Sequence, residues 1–215
     1  MIRYLYADQL GRFPHLARTM FEDRAEQFKT RLGWDVTVNA DGQERDAYDD
    51  LNPLYVIWEK ADGLHGGSMR FLPTTGRTMV NEHFLDVTDG VTFQSPLIWE
   101  CTRFCLSQGT EPGTAAALML AGGEIMQGFV VKHFIGVFDS RMVRIYNRIG
   151  AAPEVLGTTG EGRQAISVGL WEFSEAAQKQ VSRVAGVPLD ASRAWFEASF
   201  HGGGAACIDD AANAA

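Results

Sequence analysis

The stretch Leu97 to Ser107, LIWECTRFCLS, sets one carboxylate and one guanidinium into an otherwise apolar run of bulky residues, with Pro96 before it and Gln108-Gly109 after it. Such a run, bounded by turn formers, reads as a central, largely buried strand. Charges are costly to bury, so Glu100 and Arg103 need either partners or a task. One reading is a structural ion pair. The other is a functional site, where acids of perturbed pKa tend to cluster. In an ideal strand the side-chain period of two places Ile98, Glu100, Thr102 and Phe104 on one face and Trp99, Cys101, Arg103 and Cys105 on the other. Glu100 and Arg103 then serve two neighbouring lobes of one site, or a bulge turns them together.

Working outward, two more arginines sit where apolar residues are expected. The spacing predicts a helix from about Pro14 to Leu32 in which Met20, Arg24, Phe28 and Leu32 recur every fourth residue, so Arg24 lies in the apolar stripe. Arg70 interrupts the strand-like run Ser68 to Leu72. Arg24 either snorkels to water or is a buried guanidinium facing a carboxylate. Between them lies ERDAYDD, Glu44 to Asp50, with four acids in seven residues. Most charge runs are solvated loops. If this one crosses Arg24 and Arg70, then Asp46 and Asp49 supply the carboxylates that bidentate guanidinium bonding favours.

The remaining chain reads as strands and helices in turn. Strands are expected over Ile2–Ala7, Asp35–Asn39, Phe129–Asp139 and Gln164–Phe173, with a hairpin joining Leu54–Lys60 to Gly66–Leu72. Helices are expected over Gly113–Gln127, Ser140–Ile149, Ser174–Val184 and, capped by Asp190, to Phe200. Asn81 to Gln94 reads as irregular, with Phe84 its apolar anchor. The G-x-G-x-x-G dinucleotide fingerprint is absent. Arg141, Arg144 and Arg148, spaced by three and four, form a basic ridge or an ordinary solvated helix face.

With 215 residues, 46% hydrophobic and 21% charged, the composition is globular. A single domain over residues 1–200 and a frayed, disordered tail over 201–215 are expected. The first residues lack an export signal, so the expected location is the cytoplasm, and no apolar run is long enough for membrane insertion. A net charge of −8 argues against nucleic acid as a partner. The three cysteines and five histidines lack ligand spacing, so no metal is implied.

Arg24, Phe28, Trp34, Asp46, Asp49, Arg70, Phe84, Glu100 and Arg103, in the contexts RxxxFxxxxxW, ERDAYD, GSMRFLPT and WECTRF, together resemble the acyl-homoserine-lactone synthases, the autoinducer synthases of bacterial quorum sensing, over roughly residues 1 to 175. The resemblance implies an α/β fold like the GNAT-type N-acetyltransferases, a twisted mixed sheet flanked by helices with a cleft between the Leu97 and Phe129 strands. It implies S-adenosylmethionine as amino substrate, not cofactor, and acyl carrier protein carrying a fatty acyl chain as partner. The amine attacks the thioester, and lactonisation then expels methylthioadenosine.

By the same resemblance Glu100 is the candidate base, acting directly or through water. Arg24, Phe28 and Trp34 belong to the lobe that closes on S-adenosylmethionine, and Arg103 could hold its carboxylate. Asp46, Asp49 and Arg70 form the electrostatic network of that lobe. Lys132, Arg141, Arg144 and Arg148 form the carrier-protein docking surface. Phe84 and Gly136 fall to the acyl pocket. Gly136 stands where members preferring 3-oxo chains often carry threonine, which points to an unsubstituted or 3-hydroxy chain. Gly128, Gly136 and the small residues from Ala115 to Gly123 leave room for a medium or long chain. The rival readings are an acyl-coenzyme A-dependent N-acyltransferase and a non-catalytic S-adenosylmethionine-binding sensor.

Overall fold

A computed structural model describes residues 1–200. The Leu97 run forms the middle of a seven-stranded sheet. Its strands are β1 (Ile2–Tyr6), β2 (Leu54–Glu59), β3 (His65–Pro73), β4 (Ile98–Leu106), β5 (His133–Asp139), β6 (Glu154–Thr159) and β7 (Ile166–Glu172), in the order β1-β2-β3-β4-β5-β7-β6. All neighbours are antiparallel except β4 and β5. That parallel pair is laddered only where Ile98 to Glu100 face His133 to Ile135. Beyond Glu100 the two strands splay, which leaves a V-shaped gap between the halves of the sheet.

Among the described residues, six α-helices cover the two faces: α1 (Pro14–Ala25), α2 (Met79–His83), α3 (Thr114–Gly128), α4 (Met142–Ile149), α5 (Glu175–Ala185) and α6 (Leu189–Phe200). Leu16, Met20 and Phe21 of α1 pack on Tyr55 and Ile57 of β2. On the opposite face Leu118, Ala121 and Ile125 of α3 and Phe196 of α6 pack on Tyr4, Val56 and Phe71. Each fully buried side chain of this size contributes about 1.5–3 kcal/mol of transfer free energy. Among the described residues, no helix is long and apolar enough to cross a membrane.

The sequence expectations hold for most elements, and the differences have local causes. Asp35–Asn39 forms no strand; only Val38 bridges to Glu44, and the segment is mostly exposed, so no neighbouring strand completes its hydrogen bonds. The segment expected to be irregular, Asn81 to Gln94, begins inside the short helix α2, which takes in Asn81 to His83. β5 begins at His133, because Phe129 and Val130 turn out of α3, with Val130 at a φ of 58°. The edge strand β6 escaped the sequence reading: it is mostly exposed and bulged between Val155 and Gly157, so no alternation marks it. α6 starts at Leu189, which puts Asp190 inside its first turn rather than at its cap. The expected tail, 201–215, lies outside the described residues.

Candidate active site

β4 departs from simple alternation, and the site follows from that departure. Ser68 and Arg70, two residues apart on β3, pair with Cys105 and Thr102, three apart on β4. The extra residue is absorbed at Arg103, whose φ is 53°. The bulge reverses the phase of the strand. Phe104 and Leu106 join Trp99 and Cys101 on the α3 face. Arg103 and Cys105 join Glu100 and Thr102 on the α1 face. The ideal two-face assignment therefore fails for Phe104, Arg103 and Cys105, while the bulge alternative is realised.

On the α1 face three arginines meet three carboxylates. Arg24 donates from Nε to Glu44 at 2.6 Å and from Nη1 and Nη2 to the two oxygens of Asp49 at 3.0 and 2.9 Å. Arg70 donates to Asp49 at 2.7 Å, to Asp46 at 3.0 Å and to the Thr102 hydroxyl at 3.0 Å. Arg103 donates from Nη2 to Glu44 at 2.9 Å and to Asp46 at 2.7 Å. Tyr55 adds its hydroxyl to Asp49 at 2.6 Å. Burial alone would raise the Asp49 pKa, but Arg24 and Arg70 more than offset it and hold the carboxyl far below the ordinary range. Asp46 is likewise lowered, by Arg70 and Arg103 against its burial. A buried array with charge balance, in which Arg24 and Arg70 are held by carboxylates on two sides, fixes a rigid wall, and removing one member would strand another.

Glu44 was not singled out from the sequence, although it bridges Arg24 and Arg103. Two signals pointed to it. Three out-of-place arginines need three acids, and Glu44, Arg45 and Asp46 alternate in, out and in, with Glu44 fully buried and Arg45 exposed.

Glu100 stands apart from this array. It is 0% exposed, and its oxygens accept the backbone N–H groups of Met79 (3.0 Å) and Val80 (2.6 Å) at the start of α2. Burial pushes its pKa up to about 7, and the two N–H groups and Arg70 pull the other way.

A cavity of about 1430 Å³ runs through the β4–β5 gap. That exceeds the usual single-ligand site, so two substrates fit. On the α1 side its wall includes Phe28, Trp34, Asp46, Tyr48, Met79, Phe84 and Arg103; on the other side it passes between α3 and α5 over Phe134 and Trp171. After α1 the chain widens into a π-helical turn, Glu26–Arg31, and Trp34 N–H then returns to the Phe28 carbonyl at 2.8 Å. This brings the Trp34 ring onto Phe28, stacked at 5.2 Å and 11°. Arg103 lies over the other aromatic partner, 5.4 Å from the Phe28 centroid.

Position bears on several expected roles. Arg24, Arg70 and Asp49 do not line the cavity. Glu100 does not line it either. Gly128 makes no room for an acyl chain: a Cβ there would lie 2.2 Å from the Phe196 ring. Gly136 lines the cavity, yet a Cβ there would lie 2.9 Å from the Cys101 carbonyl, so the approach of β4 itself demands glycine. Arg144 and Arg148 are exposed on α4 with the exposed Ile145 between them, and Arg141, paired with Asp139, lies at the cavity edge. Lys132 is exposed at the opposite end of β5 from Arg141 and does not extend that ridge contiguously.

Known proteins are similar to this chain in sequence and in fold. Residues 12–181 match the family model described as autoinducer synthase. An acyl-homoserine-lactone synthase of Rhizobium etli is 37% identical over 181 residues, covering 81% of this chain and 85% of the relative. In fold, the chain is similar to a coenzyme A-dependent acyl-homoserine lactone synthase, MesI, with a TM-score of 0.77 at 20% identity over 87% of this chain and 96% of that one. It is more distantly similar to an acyl-CoA N-acyltransferase from Pseudomonas aeruginosa, with a TM-score of 0.54 at 12% identity over 79% of this chain and 98% of that one. The fold is thus GNAT-like, and the sensor reading gives way to an enzyme. The chain belongs to the autoinducer synthase family and is an acyl-homoserine-lactone synthase, an acyltransferase.

Proposed function

We propose that the enzyme uses S-adenosylmethionine and an acyl group carried as a thioester on acyl carrier protein, in the cytoplasm and without a cofactor. The observation that carries this is the single cavity with two chemically different arms, one polar and aromatic beneath α1, one apolar between α3 and α5, which meet where β4 turns at Thr102 and Arg103. In the first arm the Phe28–Trp34 stack suits an adenine ring or a sulfonium. Arg103, the one member of the arginine array at the cavity wall, suits a carboxylate.

The amine nitrogen attacks the thioester carbon, the carbon–sulfur bond breaks with departure of the carrier thiolate, and the amine proton leaves the nitrogen. Glu100 receives that proton through water. Asp46 lines the cavity but is held ionised by two arginines and is a poor proton acceptor, whereas Glu100 is poised near neutrality. A carboxylate oxygen of the methionine moiety then displaces neutral methylthioadenosine from the carbon bearing the sulfonium, closing the lactone. That step needs positioning more than acid catalysis.

The carrier reading rests on α4, where Arg144, Ile145 and Arg148 are exposed beside the cavity edge at Arg141 and Met142. A basic surface with an apolar centre suits an acidic carrier. The apolar arm suits a medium or long chain without a 3-oxo group.

The deciding experiment incubates the purified protein with S-adenosylmethionine and acyl-carrier-protein or acyl-coenzyme A donors, with mass spectrometry of the products. Acyl-homoserine lactone from the carrier donors supports the full reading. Turnover of coenzyme A donors alone would replace the carrier and leave the two-arm reading intact.

A further inference from the structure

α2 has five residues, too short to be stable alone, so contacts outside it must fix it. Its first N–H groups are taken by Glu100. Its far end grips one ring. Tyr48 donates its hydroxyl to Glu82 at 2.8 Å, and the His83 ring meets the Tyr48 ring edge-on, with centroids 6.3 Å apart. Arg77, just before the helix, donates to the same Glu82 from Nε and Nη2 at 2.7 and 2.9 Å and stands 5.5 Å from the Tyr48 centroid. Arg77 and Tyr48 together hold the Glu82 carboxyl well below its ordinary pKa, so it stays an anion and the phenol's hydrogen bond is charge-assisted. Tyr48 is also rooted in the arginine array, because its backbone N–H goes to Asp46 at 2.9 Å. Tyr48 and Met79 line the cavity and Glu100 does not. The ring and the helix therefore stand between the cavity and the base.

We infer that Glu82 is a positioning residue, which through Tyr48 holds α2 against Glu100 and so keeps the base oriented and out of bulk water. The inference rests on Glu100 being the base. The Glu82 side chain is 31% exposed and acts only through Tyr48 and its own helix. The inner side of α2 has other anchors: Val80 packs with Ile135 and Val168, and Asn81 bonds the Phe93 backbone both ways. Loss of Glu82 therefore frees the outer end of the helix without unfolding the segment, and water reaches Glu100. The charged and titratable groups facing Glu100 are Arg70 from β3, Asp46 and Tyr48 from the acidic segment and Cys101 beside it, while its ladder neighbours Leu72 and Ile135 are apolar. None of these is removed with Glu82. Burial is the largest influence on Glu100, so wetting it returns the group toward ordinary carboxylate behaviour.

The test measures kcat and the KM for S-adenosylmethionine across the pH range in Glu82→Ala, Tyr48→Phe and the double variant, at saturation with whichever of the carrier-protein or coenzyme A donors turns over. Glu82→Gln, which keeps an oxygen for the phenol, is the conservative control. Glu82→Ala is expected to lower kcat by about tenfold, to change KM by less than about twofold, and to move the acid limb of kcat about one pH unit lower. Tyr48→Phe gives the same shift, the double variant is no worse than either single one, and Glu82→Gln recovers most of the loss. An unmoved acid limb, a loss carried by KM, or losses that add in the double variant overturn the inference. If one single variant does not fold, the other decides in the same way. Glu100→Gln with wild-type kcat defeats the underlying reading of the base; an inactive Glu100→Gln beside an unmoved limb in Glu82→Ala defeats only the role of Glu82.

Discussion

The Glu100 carboxylate accepts the Val80 backbone N–H at 2.6 Å while buried to 0% exposure, so a group poised near pH 7 also anchors the start of α2. Turnover is expected to rise with pH up to about 7 as Glu100 ionises and to level off above it. Glu100→Gln should lower kcat by about 10²–10⁴-fold and abolish this rise. A variant with wild-type kcat would remove Glu100 from the proton path.

The same raised pKa has a thermodynamic consequence. Between the ordinary value of 4.5 and about 7 the unfolded chain releases the Glu100 proton before the native state does. Native stability from this group is therefore full below 4.5 and is lost as pH rises through 7, by about 3 kcal/mol. Thermal melts at pH 5 and pH 8 check this: the melting temperature of Glu100→Gln relative to wild type should move in the variant's favour at the higher pH.

The arginine array predicts a large structural effect without a ligand contact. Arg24→Ala leaves Glu44 and Asp49 short of a buried partner and should destabilise the protein by about 3–5 kcal/mol. Asp49, with its lowered pKa, adds stability that is present above the ordinary carboxylate range and is lost as pH falls toward its folded value. Acid unfolding of Asp49→Asn should accordingly begin from a lower melting temperature but be less steep. Melting curves across the acid range give both quantities; parallel curves for variant and wild type would refute the assignment.

Trp34 lines the cavity while stacked on Phe28. Trp34→Ala is expected to raise the KM for S-adenosylmethionine by about tenfold with a smaller change in kcat, as for a lost aromatic–cation or stacking contact. Steady-state kinetics with saturating acyl donor would show the split, and an unchanged KM would assign the stack to folding alone.

On α4, replacing Arg144 and Arg148 together by glutamate should raise the KM for an acyl-carrier-protein donor by about tenfold at low salt, with the difference shrinking as ionic strength rises. A donor lacking the carrier protein should feel the change far less. Equal effects on both donors would place the carrier elsewhere.

Much of this was legible in LIWECTRFCLS and ERDAYDD, because buried charge must be explained by partners and the partners were close in number. Asp46, Asp49, Arg24 and Arg70 meet as their types demand. What escaped the sequence was phase and depth. Nothing in the residue types around Arg103 fixes a bulge, so the face of Phe104 could not be read from alternation. The covering of Glu100 by Met79 and Val80 depends on a five-residue helix too short to leave a periodic signal. The packing role of Gly128 depends on the position of Phe196, which the sequence around it does not reveal.

The bulge at Arg103 also makes β4 sensitive to length in a way its composition does not suggest. Because the strand changes phase there, one segment supplies Thr102 and Arg103 to a charged compartment and Cys101 and Phe104 to an oily one. Deleting Thr102 or Arg103 would remove the bulge and restore plain alternation, with Phe104 still on the oily side and Cys105 still on the charged side, so the loss would be one of the two side chains that the bulge sets together. In this strand a shortening costs the site a residue rather than the sheet its register.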